Sequence, residues 1–146
     1  MFKKLLFVCV GNICRSPTAE LMMRHRLAGR QGVEVSSAGL QALVGRGVDP
    51  EAAALLREAG IDPDGHKARK ASASVLAAAD LILVMEQSHQ VKIAREVPQV
   101  SGKTFLLGKW RGQREIPDPY RQSREAFEHV YRLIDDCVDS WAPYIK

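Results

Sequence analysis

The run Leu81-Ile82-Leu83-Val84-Met85 constrains the fold of this chain more than any other segment. It has no polar face, so a strand here must be covered on both sides, as the strands of a parallel sheet are. Parallel strands need crossover connections, usually helical, and the chain supplies both kinds of element in alternation. Residues 3–9, with the apolar Leu5-Leu6-Phe7-Val8, read as a first strand. Residues 17–29 read as a helix with Ser16 at its N-cap and Pro17 in its first position. Val33-Glu34-Val35-Ser36-Ser37 alternates and reads as a second strand, followed by a Gly- and Val-rich loop to residue 48. Asp49-Pro50 opens a helix in which Ala52, Leu55, Leu56 and Ala59 share a face, and Gly60 stops it. Lys103 to Leu107 is a candidate fourth strand, and residues 124–141 carry Phe127, Val130, Ile134, Cys137 and Trp141 on one helical stripe. This alternation predicts one α/β domain over residues 1–146, a parallel sheet with helices on both faces.

Charge and cysteine content narrow the function. The net charge is +4, but the 21 basic residues are dispersed, 11 in residues 1–73 and 10 in 74–146. No basic run is interleaved with aromatics, so nucleic acid is not an expected partner, while anionic substrates fit. The apolar run Leu5–Val10 after Lys3-Lys4 is too short for a signal peptide. No segment approaches the ~18 apolar residues that span a bilayer, so no membrane insertion is expected. Three cysteines do not make a secreted disulfide framework, and a cytoplasmic protein is expected.

In open parallel sheets, ligands bind beyond the carboxyl ends of the strands. Cys9 stands at that end of the first strand, in Cys9-Val10-Gly11-Asn12-Ile13-Cys14-Arg15-Ser16-Pro17. The segment gathers a thiol, a turn of backbone N–H groups, a helix N-terminus and a guanidinium, a setting suited to a tetrahedral oxyanion. A thiol that ordinarily titrates near ~8.5 falls to roughly 3.5–7.5 in such surroundings. Arg15 offers a planar fork for two phosphoryl oxygens. Gly11 permits a tight turn, Asn12 tolerates a left-handed backbone and can brace the loop, and the Ser16 hydroxyl can reach the thiol. An isolated strand cysteine is ordinarily core; five residues, then Arg-Ser-Pro at a strand-to-helix junction, make Cys9 a candidate nucleophile. Thiolate displacement also needs an acid for the leaving oxygen. Asp118, in Ile116-Pro117-Asp118-Pro119-Tyr120, is the candidate; Asp135-Asp136, late in the last helix, is a solvent-facing rival.

The Cys9-to-Pro17 segment, Ser36-Ser37-Ala38-Gly39 and Asp118-Pro119-Tyr120 together resemble the low-molecular-weight protein-tyrosine phosphatases, in order and across essentially the whole chain. The resemblance implies a four-stranded parallel sheet flanked by helices and a phosphocysteine intermediate on Cys9. Arg15 would bind the phosphoryl group, and Asp118 would act as acid and then base. Ser16 would stabilise the thiolate, and Asn12 and Ser37 would support a loop that runs through Val10, Gly11, Ile13 and Cys14. Cys14 would pair reversibly with an oxidised Cys9, and Tyr120 would line the slot for the substrate ring. No metal or cofactor is implied. Arg121 follows Tyr120 where the animal branch has a second aromatic, and Leu40 follows Gly39. These details resemble the bacterial branch tied to capsule and exopolysaccharide export. Its implied partner is a phosphotyrosine protein, an autophosphorylating tyrosine kinase. Leu40 and Val10 would then wall the slot in place of aromatics.

Two alternatives accompany this reading. An arsenate reductase on the same fold needs relay cysteines, yet residues 84–94 hold none and Cys137 sits on the apolar stripe. A phosphate-binding module without catalysis would have no visible cause, since every catalytic residue type is kept. His25, His66, His89 and His129 are scattered away from metal-ligand spacing, and surface or capping roles are expected for them. Gly45-Arg46-Gly47 lacks the rest of a nucleotide-binding fingerprint, and Lys67, Arg69 and Lys70 read as a solvated face.

Overall fold

β1 (Lys4–Cys9), β2 (Glu34–Gly39), β3 (Leu81–Val84) and β4 (Thr104–Leu106) form one parallel sheet in the order β2-β1-β3-β4. The structure is a computed structural model that describes residues 2–145; Met1 and Lys146, at the ends of the expected 1–146 domain, lie outside the described residues. β1 and β3 lie side by side, with Leu5 opposite Leu81 and Phe7 opposite Leu83. Because side chains alternate across a strand, these central strands feed two cores. Leu5, Phe7, Leu81 and Leu83 meet Ala19, Met22 and Met23 of α1 (Arg15–Arg26) and Val130 and Ile134 of α5 (Arg124–Trp141). Leu6, Val8, Ile82 and Val84 meet Leu76 of α3 (Ala73–Ala78) and Ile93 of α4 (Gln87–Glu96) on the opposite face. α2 (Pro50–Glu58) packs against α5, with Ala52 and Leu55 against Phe127. The unbroken apolar run 81–85 is thus the sheet's fully covered centre, as its composition requires.

Leu83, in β3, has no solvent exposure and lies in the core that the sheet shares with α1 and α5. Leu83→Ala is expected to cost about 3 kcal/mol, from lost transfer free energy plus the cavity left behind. Urea unfolding measures this as a lower midpoint at unchanged slope; a loss under about 1 kcal/mol would contradict the packing described.

The expected elements are present with shifted edges. The first helix starts at Arg15, with Cys14 at the N-cap, two residues before the expected start. Pro17 therefore stands third in the helix, where its missing N–H still falls among the four unpaired donors of the first turn. Ser16 does not cap, because its side chain serves Cys9 and Asn12 instead. Asp49 caps α2 as expected, accepting from the Glu51 N–H at 3.0 Å. Lys103 closes a short 3-10 turn (Pro98–Lys103) and not the fourth strand. α3 and α4 have no counterpart in the sequence reading: α3 buries only Leu76, and α4 only His89 and Ile93. No helix among the described residues is long and apolar enough to cross a membrane.

Candidate active site

From β1 the chain turns one way to β2 and later returns on the other side to β3. The loops leaving β1 and β3 therefore diverge, opening the crevice where such sheets bind ligands. Cys9–Cys14 lines one side of that crevice, and Glu86, after β3, flanks the other.

The loop's carbonyls point away from the crevice, each taken by a donor outside. Leu40 N–H donates to Cys9 O at 2.9 Å, Gln41 N–H to Val10 O at 2.9 Å and Leu43 N–H to Gly11 O at 3.0 Å. His66 Nε2 bonds Asn12 O at 2.7 Å. Asp49 N–H donates to Ile13 O at 2.7 Å, and Thr18 N–H to Cys14 O at 3.1 Å. Among the described residues, no N–H from Gly11 to Cys14 has a protein acceptor. The turn thus exposes donors on its concave side, as an anion cradle must. Asn12 has φ +59°, the left-handed backbone expected of it. Gly39 is required by the same close approach: a Cβ there would stand 2.5 Å from Val10 O.

A buried chain of side-chain bonds fixes the Cys9 hydroxyl partner. Asn12 Oδ1 accepts from Arg69 N–H at 2.9 Å, so its amide nitrogen faces the other way. Nδ2 donates to Ser16 Oγ at 2.8 Å and to Ser37 Oγ at 2.9 Å. The Ser37 hydroxyl donates a hydrogen bond to Glu20 Oε1 at 2.6 Å, and Glu20 is held by Arg24 at 2.8 Å. Ser16 Oγ, already an acceptor from Asn12, is left to donate to Cys9 Sγ at 2.8 Å. Cys14, on the same loop, is buried, and that burial, followed by the charge of Cys9, pushes its thiol far up, so it stays protonated at neutral pH. All three cysteines are unpaired.

Arg15 is 2% exposed and held at three points. Nη1 donates to Glu86 Oε2 at 2.5 Å and to Ile116 O at 2.8 Å, while Nη2 lies 3.7 Å from Asp118 Oδ2. Ile116 N–H is in turn tied to Met85 O at 2.9 Å, anchoring the root of the Asp118 loop to the end of β3. Asp118 Oδ1 accepts from Tyr120 N–H at 3.0 Å, and its other oxygen faces Arg15. The Arg121 guanidinium lies 5.2 Å from the centre of the Tyr120 ring.

These groups enclose a pocket of about 170 Å³, lined by Cys9, every loop residue to Arg15, and Asp118 and Tyr120 from the far loop. One expected wall residue is not there. Leu40 packs with Ala38 on the α4 side of the sheet. Its N–H continues the β2 pairing onto Cys9 O, so residues 38 and 40 keep the same face. Gln41 and Leu43 line the pocket in its place. Asp135 and Asp136 are exposed and paired with Arg26 and Arg111, away from the pocket. A larger open cleft, about 610 Å³, runs along the outer edge of β2 and meets the site through Glu20, Ser37, His66 and Arg69 behind the loop. Among the described residues, no cluster of three or more His, Cys, Asp or Glu is placed to hold a metal ion.

The family model for low molecular weight phosphotyrosine protein phosphatase matches residues 4–146. The chain belongs to this family. It is 46% identical to the low molecular weight protein-tyrosine-phosphatase Wzb of Salmonella typhimurium over 142 residues, 97% of this chain and 93% of that protein. It is 45% identical to Etp of Escherichia coli K12 over 141 residues, again 97% and 93%. The fold superposes on Wzb of Vibrio vulnificus, solved in complex with benzylphosphonate, with a TM-score of 0.93 and 42% identity, over 99% of this chain and 100% of that one. This phosphatase gathers its Cys-to-Arg loop, Asp118 and Tyr120 around one pocket, with Ser37 bracing the loop from behind through Asn12. Glu86, His66, Glu20 and Arg69 also contact that constellation, and no sequence motif singled them out as part of it. Only the expectation of a capping role touched His66, and here the ring caps a loop carbonyl and no helix.

Proposed function

We propose that this phosphatase hydrolyses phosphotyrosine in proteins through a phosphocysteine intermediate on Cys9. The observation that carries the reading is the outward turn of every carbonyl from Cys9 to Cys14, which leaves the loop N–H groups for a phosphoryl group beside Sγ. In the first step the Cys9 thiolate attacks phosphorus and the P–O bond to the phenol breaks. Asp118, in its acid form, hands its proton to the departing oxygen. In the second step water attacks the phosphocysteine and gives a proton to the Asp118 carboxylate. The S–P bond breaks, and inorganic phosphate leaves with the thiolate restored. Arg15 grips two phosphoryl oxygens through both displacements. The Ser16 hydroxyl stabilises the thiolate, and Asn12 and Ser37 hold Ser16 in that orientation. Val10, Ile13, Leu43 and Tyr120 supply the apolar sides of the slot for the ring. Under peroxide, a Cys9 sulfenic acid condenses with the Cys14 thiol, releasing water and forming a reversible disulfide.

The phosphoprotein partner in this reading is an autophosphorylating tyrosine kinase of exopolysaccharide export, met in the cytoplasm. Arg121 and Leu40, which mark the bacterial branch, support it, as does the bacterial source of the matched relatives. Phosphate release from phosphotyrosine and phosphoserine peptides, measured beside arsenate reduction, tests the chemistry. Release from phosphotyrosine alone is expected. Arsenate reduction, or equal release from phosphoserine, would overturn it. Phosphate binding with no release from either peptide would make the chain a binding module.

A further inference from the structure

His89 occupies the third position of α4 and is 5% exposed. Its Nδ1 accepts the backbone N–H of Glu86 at 3.3 Å, so the proton of the neutral ring resides on Nε2. Nε2 lies 3.8 Å from Glu86 Oε2, the same oxygen that accepts Arg15 Nη1 at 2.5 Å. The ring therefore holds Glu86 at its backbone and presents a positive N–H edge to its carboxylate. Among the described residues, Glu86 is the one side chain that ties the buried fork of Arg15 to α4. We propose that His89 is a positioning residue for Arg15: acting through Glu86, it sets the angle at which the guanidinium meets the phosphoryl oxygens. This rests on the reading of Arg15 as the phosphoryl-binding group.

The groups around the ring agree with a neutral imidazole. Burial, and then the Arg15 charge, lowers the His89 pKa below the ordinary imidazole value, against the opposing pull of Glu86, Glu115 and Asp118. The folded ring thus stays neutral at pH 6.5 and above and takes up a proton only further down. That proton would have to enter at Nδ1, where it meets the Glu86 N–H head-on and breaks the contact. The stabilisation contributed by the neutral ring is present above pH 6.5 and is lost as pH falls through the lower folded value.

The test uses sulfate, which stays a dianion from pH 5 to 7.5, as a binding probe independent of turnover, together with aryl phosphate hydrolysis. His89→Leu is expected to weaken sulfate binding and to lower kcat/KM, each about tenfold. His89→Asn, which keeps an acceptor at the Nδ1 position, is expected to restore both to within about threefold. In a double-mutant cycle, His89→Leu should have no further effect once Glu86→Ala has removed the side chain that reaches Arg15. Sulfate affinity of the unsubstituted enzyme should fall below that of His89→Asn at some point as pH is lowered from 6.5, a readout that stands if His89→Leu does not fold. Additive effects in the cycle, or parallel pH curves for the unsubstituted and His89→Asn proteins, would overturn the proposal. An unsubstituted enzyme that binds sulfate but releases no phosphate would count against the phosphatase reading and leave the binding test of His89 intact.

Discussion

Cys9→Ser is expected to reduce aryl phosphate hydrolysis by about 10⁴-fold or more while inorganic phosphate still binds within about threefold of the unsubstituted protein. An alcohol is far less ionised than a thiol at neutral pH, so the nucleophile is lost outright, and losses of this order follow removal of a nucleophile. The binding surface does not depend on the sulfur. The loop carbonyls are engaged by Leu40, Gln41, Leu43, His66, Asp49 and Thr18, and Arg15 is held by Glu86 and Ile116, all outside Cys9. The N–H cradle and the fork should therefore persist. Steady-state rates with calorimetric phosphate titration check both halves. Retained turnover would remove Cys9 as the nucleophile, and loss of phosphate binding would mean that the Cys9–Ser16 contact builds the loop.

The second large effect is selective. Asp118→Asn should slow esters with poor leaving groups by about 10²- to 10⁴-fold, the range that general acid catalysis contributes. Esters whose leaving group departs without a proton should lose far less in the first step. Asp118 suits the role because its loop brings it to the mouth of the pocket while about half of its side chain remains exposed. It can therefore exchange protons with water between the two displacements. The Asn side chain keeps the bond to the Tyr120 N–H, so the loop geometry is retained. A plot of rate against leaving-group pKa should steepen in the variant; an unchanged slope with a uniform loss would assign Asp118 to orientation of Arg15 instead.

What could be read from the chain and what could not divide along sequence distance. The run 81–85, the stripe from Phe127 to Trp141 and the Cys9-to-Pro17 loop are local patterns, set by strand parity, helical period and a short turn. Their placement at the end of β1 follows from the sheet rule. α4 escaped because it buries one aliphatic residue and a histidine, which leaves no apolar stripe to recognise. Glu86, His66 and Arg69 reach the loop from 54 to 71 residues away, and their roles come only from the crossovers that bring β3 and the 60s segment beside β1. Leu40 was misassigned for a different reason. Whether the residue after Gly39 faces the pocket or the sheet depends on the strand pairing persisting one residue further, and its bond to Cys9 O shows that it does. Ser16 shows the opposite case: as a cap it was misplaced, yet its predicted contact with the thiol holds, because the helix starts early enough to turn its hydroxyl inward.

The central claim is that phosphate passes through the Cys9 sulfur. Asp118→Asn turning over an activated aryl phosphate should hydrolyse its intermediate slowly, so the covalent species should accumulate. Rapid quenching, followed by phosphorus NMR and peptide mass spectrometry, reads where the phosphoryl group sits. The expected result is a single thiophosphate ester on the peptide that holds Cys9, absent when Cys9→Ser is added. Phosphate on another residue, or turnover with no covalent species at Cys9, would contradict it.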